Sequence, residues 1–294
     1  MTPDDDRHRS RGVLALVATL LCFSFGSTLV KSAHAPGVTV AFWRLLVCSV
    51  VWVVIHRVSS GDWPTRSGFR AALVPGLAFG LDLALFFVGV TRTTIAAAEF
   101  TGALTPFVVV PLAALVYKER TRLAPLTFGL ISLGGLAIVL FNAPESGEFS
   151  WEGVLWIAAA TMMWSTYMLT SRQLRQGRSV TWVMAHVTPV ATAVTLPFSL
   201  LVFPGTISDV TWRAALFIAL LALITGTVAH GLMVYAQRSV PIGVISMVQV
   251  SQPALAVTWS VLFLGSSVNS IQVVGMVLVL GGLAAITYFT RRAA

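Results

Sequence analysis

Ten apolar stretches run through this chain, each about long enough to cross a bilayer, and the second five echo the first five. They lie near 12–31, 37–56, 69–91, 93–117, 123–142, 153–171, 179–203, 212–236, 240–264 and 270–290. Backbone groups in lipid must satisfy one another, so stretches of this length are expected as helices. The composition agrees: 56% of the residues are hydrophobic and 10% charged, against about 25% charged in soluble domains. The expected fold is therefore an all-α integral membrane protein of ten transmembrane helices.

The echo can be followed by position. Gly12-Val13-Leu14 returns as Gly153-Val154-Leu155, Ser24 as Ser165 and Lys31 as Arg172. Val38-Thr39 returns as Val180-Thr181, which pairs Arg44 with His186. Arg70-Ala71-Ala72-Leu73 matches Arg213-Ala214-Ala215-Leu216, Pro106 matches Pro253, and Leu133-Gly134-Gly135-Leu136-Ala137 matches Leu280-Gly281-Gly282-Leu283-Ala284. The consistent order divides the chain into two repeats, 12–142 and 153–290. Five is odd, so a duplicated five-helix unit meets the membrane in the opposite sense to its twin. Two inverted five-helix repeats are a common construction of secondary transporters, whose substrate site lies between the halves.

Arginines orient the chain. With a cytoplasmic N-terminus, that side collects residues such as Arg57, Arg66, Arg70, Arg172, Arg175, Arg178 and Arg238, while the other keeps Lys31, Arg92 and Arg213. This asymmetry places both termini in the cytoplasm of a multi-pass cell-membrane protein. The net charge of +8 is accounted for by these dispersed flanking residues, and no nucleic-acid partner is expected. Cys22 and Cys48 lack the spacing of a metal site. No cofactor or metal is expected.

The arrangement resembles the EamA-type members of the drug/metabolite transporter superfamily over nearly the whole chain. Its local carriers are Phe42-Trp43-Arg44, the Ala96-Ala97-Ala98 run leading to Pro106, Tyr117-Lys118-Glu119, and Trp164. The chain departs from that pattern at Phe23, where a Trp is frequent, and at Ser266, where an acid is common. The resemblance implies ten spans in two repeats and export of small metabolites, such as amino acids or amphipathic compounds.

Ionisable groups at bilayer depth are costly, by at least about 2.5–3.5 kcal/mol on insertion scales, so each needs a partner or a wet cavity. Arg44 in the second span reads as an anchor for a substrate carboxylate, as the counter-ion of an intramembrane acid, or as a fastener to a neighbouring helix. Asp82 near the middle of span three and Glu99 in span four are candidates for proton coupling, with a structural pair to Arg44 as the alternative. His186 and His230 are candidate substrate-binding groups or packed, hydrogen-bonded residues. Phe86, Trp164, Tyr167 and Trp259 could wall a cavity, and Gln252 could line it.

Pro106 and Pro253 each remove a helical hydrogen bond and free a carbonyl, which lipid tolerates only against protein or water. They are expected as hinges beside the transport path. The partners implied are the lipid bilayer, a small-molecule substrate and protons. A membrane-embedded enzyme is the alternative class, but H-E-x-x-H, nucleotide-loop and Gly-x-Ser-x-Gly motifs are missing from the sequence. An importer or exchanger of small metabolites is the alternative in direction.

Overall fold

A computed structural model describes residues 3–90, 92–93, 95–118, 123–142, 149–255 and 269–292, and the described residues form helices and no strands. In chain order these are α1 (Pro3–Ser24), α2 (Gly26–Ala33), α3 (Gly37–Ser60), α4 (Arg66–Ala71), α5 (Leu73–Val90), α6 (Ile95–Ala103) and α7 (Thr105–Tyr117). They continue with α8 (Leu123–Phe141), α9 (Trp151–Gly177), α10 (Val180–Val202), α11 (Trp212–Leu221), a π-helical segment Ala222–Ala229, α12 (His230–Ala236), α13 (Ile242–Gln249) and α14 (Ser270–Arg292).

Local chemistry sets the helix starts. Thr65, Ser179 and Thr211 each accept the backbone N–H of the residue three positions on, which opens α4, α10 and α11. Gly61, at φ 78°, closes α3 onto Arg57 O.

Among the described residues, five helices are long and apolar enough to cross a membrane: Gly37–Ser60, Leu73–Val90, Ala97–Tyr117, Val180–Val202 and Trp212–Ala236. Shorter apolar helices cover Ser10–Ser24, Leu126–Phe141, Ile242–Leu255 and Ser270–Ile286. α9 has 27 residues, about 40 Å at the helical rise, but mixes polar residues into its apolar run. Of the expected span 240–264, residues 256–264 lie outside the described residues, Trp259 among them.

The packing respects the repeat. α3 lies along its counterpart α10, and α8 along its counterpart α14. Both pairs are antiparallel: Ser49 meets Thr192 at 2.8 Å and Ser59 meets Thr181 at 3.4 Å. In the second pair, a Cβ on Gly135 would stand 2.7 Å from Gly275 O and 3.1 Å from Val279, while one on Gly282 would stand 2.8 Å from Phe128 O and 2.2 Å from Ser132 Oγ. These contacts interchange when each residue is replaced by its repeat partner, Gly135 for Gly282, Gly275 for Phe128, and Val279 for Ser132. Small residues let such backbones approach closely.

Between the two pairs stand two groups that swap helices across the halves. One comprises α5, α6, α7 and α9; the other comprises α1, the π segment, α12 and α13. One end of the bundle gathers Arg57, Arg66, Arg172, Arg175, Arg178 and Arg238, as contacts from Thr65 to His186 and from Arg172 to Gln237 show. The opposite end holds Arg92, paired with Glu152 at 3.6 Å, and Arg213, bonded to Ser32 O.

The fourth span is interrupted within its length. α6 ends at Ala103 and α7 begins at Thr105, with Leu104 as the joint. In the other half α13 ends at Gln249, the chain turns at Val250–Ser251, and helix resumes over 252–255. Leu104 and Ser251 are repeat partners. At both joints the backbone bonds shorten to i→i−3, as in Leu104 N to Thr101 O and Ser251 N to Val248 O. Pro106 leaves Gly102 O without a helical donor, and the Thr105 hydroxyl fills the gap at 2.7 Å.

Candidate functional site

A cavity of about 250 Å³ lies between the two helix groups and runs toward the end that carries Arg92 and Arg213, as far as Val30 and Val90. α5 places Asp82 and Phe86 on it, α6 Glu99, and α9 Trp164. From the other group come Phe23, Thr225, His230 and Gln249, and α3 adds Arg44. The repeat puts like positions on its wall: Phe23 and Trp164, Asp82 and Thr225, Glu99 and Ser246 are partners by the offsets that pair Gly12 with Gly153, Arg70 with Arg213, and Pro106 with Pro253.

Arg44 and Asp82 are 6% and 7% exposed, yet among the described residues no ion pair or hydrogen bond joins them, and Arg44 Nε has no hydrogen-bond partner. Burying a charge without a partner is costly, and the cavity lets ligand or water compensate both groups. Gly226 makes room for Cys48 beside Arg44. A Cβ there would stand 2.2 Å from Cys48 Sγ and 3.5 Å from Arg44 Nε.

Gly226 belongs to the π segment, whose wider turn also sets His230. The His230 Nδ1 lies 2.6 Å from Thr225 O, five residues earlier. A carbonyl only accepts, so Nδ1 carries the proton, and Nε2 has no partner among the described residues. π turns inside α-helices recur at functional sites.

An aromatic wall surrounds this imidazole. Phe23 and Phe79 meet the His230 ring at centroid distances of 4.8 Å each, and Trp164 at 6.0 Å. Phe23 and Trp164 face each other edge-on at 6.4 Å across the group boundary. Trp164 Nε1 donates to Gln249 Oε1 at 3.4 Å, a second link between the groups. The site thus offers a guanidinium, two carboxyls, an imidazole and apolar rings, a set that fits a small molecule with both charges and an apolar part.

Of the residues singled out from sequence, Arg44, Asp82, Phe86, Glu99, Trp164, His230, Gln252 and Pro253 line this cavity. Tyr167 does not: it is fully buried behind the wall, stacked on Phe79 at 4.6 Å. Pro106 lines a separate apolar pocket of about 140 Å³. His186 lies at the arginine-rich end, where its Nε2 accepts from Thr65 N at 3.0 Å and its Nδ1 donates to Trp182 O at 2.7 Å. A neighbouring loop has filled its surroundings, so the repeat partner of Arg44 is a packed residue here. Trp259 lies outside the described residues. Sequence reasoning did not mark Phe23, Thr225, Gln249 or Ser246 as wall residues. Extending the repeat from Trp164, Asp82 and Glu99 finds Phe23, Thr225 and Ser246.

A family model described as the EamA-like transporter family matches residues 10–141 and 151–288. The chain is similar to an "Uncharacterized transporter YxxF" of Bacillus subtilis (strain 168), 19% identical over 284 residues, covering 95% of this chain and 90% of the relative. An "Uncharacterized transporter" of Helicobacter pylori is 23% identical over 269 residues, 86% of this chain and 85% of that one. A solved structure described only as "Crystal structure of protein" has the same fold, with a TM-score of 0.81 at 20% identity over 95% of this chain and 99% of that chain.

Proposed function

Because the chain belongs to the EamA-like transporter family, we propose that it is a secondary transporter that exports small metabolites, such as amino acids or amphipathic compounds, by alternating access between inverted repeats. It is a multi-pass membrane protein. The further reading is of ten crossings, completed by the shorter apolar helices and α9, with both termini on the cytoplasmic side of the plasma membrane. The arginine-rich end is then cytoplasmic, in keeping with the positive-inside rule. Export is the direction that the family resemblance implies.

The observation that carries this reading is the cavity itself. Helices of the first half bring Arg44, Asp82 and Glu99 to one space at membrane depth, helices of the second close it with Trp164, Thr225, His230 and Ser246, and among the described residues Arg44 and Asp82 do not pair with each other. The buried guanidinium of Arg44 and carboxyl of Asp82, which share no ion pair among the described residues, fit the carboxylate and ammonium of a zwitterion, while Phe86, Trp164 and Phe23 accept its apolar part. Asp82 and Glu99 are the groups we assign to proton coupling, because intramembrane acids mark ion pathways. The helix joints at Leu104 and at Val250–Ser251 sit where transporters of inverted-repeat design place broken helices.

The test is counterflow in proteoliposomes with a panel of amino acids and aromatic amines, with and without a pH gradient. Exchange of at least one zwitterionic solute is expected. Folded protein that moves none of them would overturn the reading.

A further inference from the structure

The two halves are used unequally in this structure. Arg44 lines the cavity, whereas its partner His186 is packed shut at the other end. A polar knot between the two helix groups seals that arginine-rich end. From α9, Arg172 Nη1 donates to Gln237 O at 2.7 Å and to Val240 O at 2.6 Å. Both carbonyls follow the last turn of α12, where no further helical N–H is available and a cation suits the helix end. The same guanidinium lies over the Tyr117 ring of α7, 5.5 Å from its centroid. The buried Gln237 side chain is gripped in turn by Ser171 Oγ and Met168 O.

Tyr117, Ser171 and Arg172 belong to one group, and Gln237 and Val240 follow α12 of the other. Any motion that opens this end between the groups must break both Arg172 bonds and slide the guanidinium off Tyr117. An interaction present in one state and lost in the other sets the balance between them. The repeat partner of Arg172 is also a cation, Lys31, which falls in α2 toward the opposite end.

Resting on the transport reading above, we propose that Arg172 is the bolt that holds the arginine-rich end closed in this state. Arg172 thereby decides which side of the membrane the site faces. Its partners Gln237, Val240 and Tyr117 lie off the cavity wall, so its loss changes access before it changes recognition.

The test uses the full chain in lipid nanodiscs with Cys22→Ser and Cys48→Ala. Single reporters are Met168→Cys, buried beneath the knot, and Val30→Cys, on the cavity wall. A charged maleimide is the probe. Val30→Cys is expected to label and Met168→Cys to stay protected. Adding Arg172→Met speeds labelling of Met168→Cys by about 10-fold and slows Val30→Cys, whereas adding Lys31→Met leaves Met168→Cys protected. Arg172→Lys, which keeps the charge but lacks the planar fork, gives a smaller rise and serves if Arg172→Met does not yield monodisperse protein. Labelling of Met168→Cys at the parental rate in the folded Arg172 variants would overturn the proposal. Labelling needs no substrate, so a protein that switches but carries no solute sinks the transport reading and leaves the bolt standing.

Discussion

Gly226→Ala is the sharpest probe of how the site is built. The new Cβ would stand 2.2 Å from Cys48 Sγ, far inside contact distance, and 3.5 Å from both Arg44 Nε and Leu221 O, which is ordinary contact. Overpacking at a buried helix contact costs about 1–3 kcal/mol. The thiol is the only close obstacle among the described residues, so removing it should restore the space. Cys48→Ala alone costs about 1 kcal/mol, through lost packing and the weak Cys48 Sγ contact to Ala222 O at 3.4 Å. The double variant should then be more stable than the sum of the singles by about 1–2 kcal/mol, within the range for residues in contact. Thermal melting in detergent, followed by loss of the monodisperse gel-filtration peak, ranks the four proteins. Additivity within about 0.5 kcal/mol would refute the claim that Gly226 makes room for Cys48.

Asp82→Asn should abolish uptake driven by a pH gradient while preserving some counterflow; gradient-driven uptake at the wild-type rate would remove Asp82 from the coupling role. Trp164→Ala removes a wall ring and the bond to Gln249, and should raise the half-saturation concentration for an aromatic substrate about 10-fold, measured by counterflow. Gly135→Leu should destabilise the protein by about 3 kcal/mol or more, because its Cβ meets Gly275 O, a backbone atom that cannot swing away. Gly134→Leu, with nothing within 4 Å, should shift stability by no more than about 0.5 kcal/mol in the same melting assay.

Much of the architecture was legible because lipid leaves few choices. The apolar runs and the arginines that flank them follow from what a bilayer tolerates, and the repeat is read from the order of matching residues. Cavity-lining residues were legible where cost exposes them: Arg44, Asp82, Glu99 and His230 stand out against apolar neighbours, and all four line the cavity. His186 stood out equally, but the Thr65 N–H and the Trp182 carbonyl satisfy it at a helix end, a pairing that depth along one helix cannot reveal. Tyr167 lay on the right helix but behind the wall, since its direction depends on which neighbours α9 meets.

The sequence by itself determined that this chain enters a membrane, that it is doubled, and which charges must find shelter, because those follow from composition, order and the cost of burying ions. Only the tertiary structure decided which sheltered groups share one space, that the fourth span is interrupted at Leu104, that a π segment turns His230 inward, and which end the Arg172 contacts join. Those outcomes depend on contacts between residues far apart in the chain, such as Gly226 with Cys48 and Arg172 with Val240, and local pattern carries no record of them.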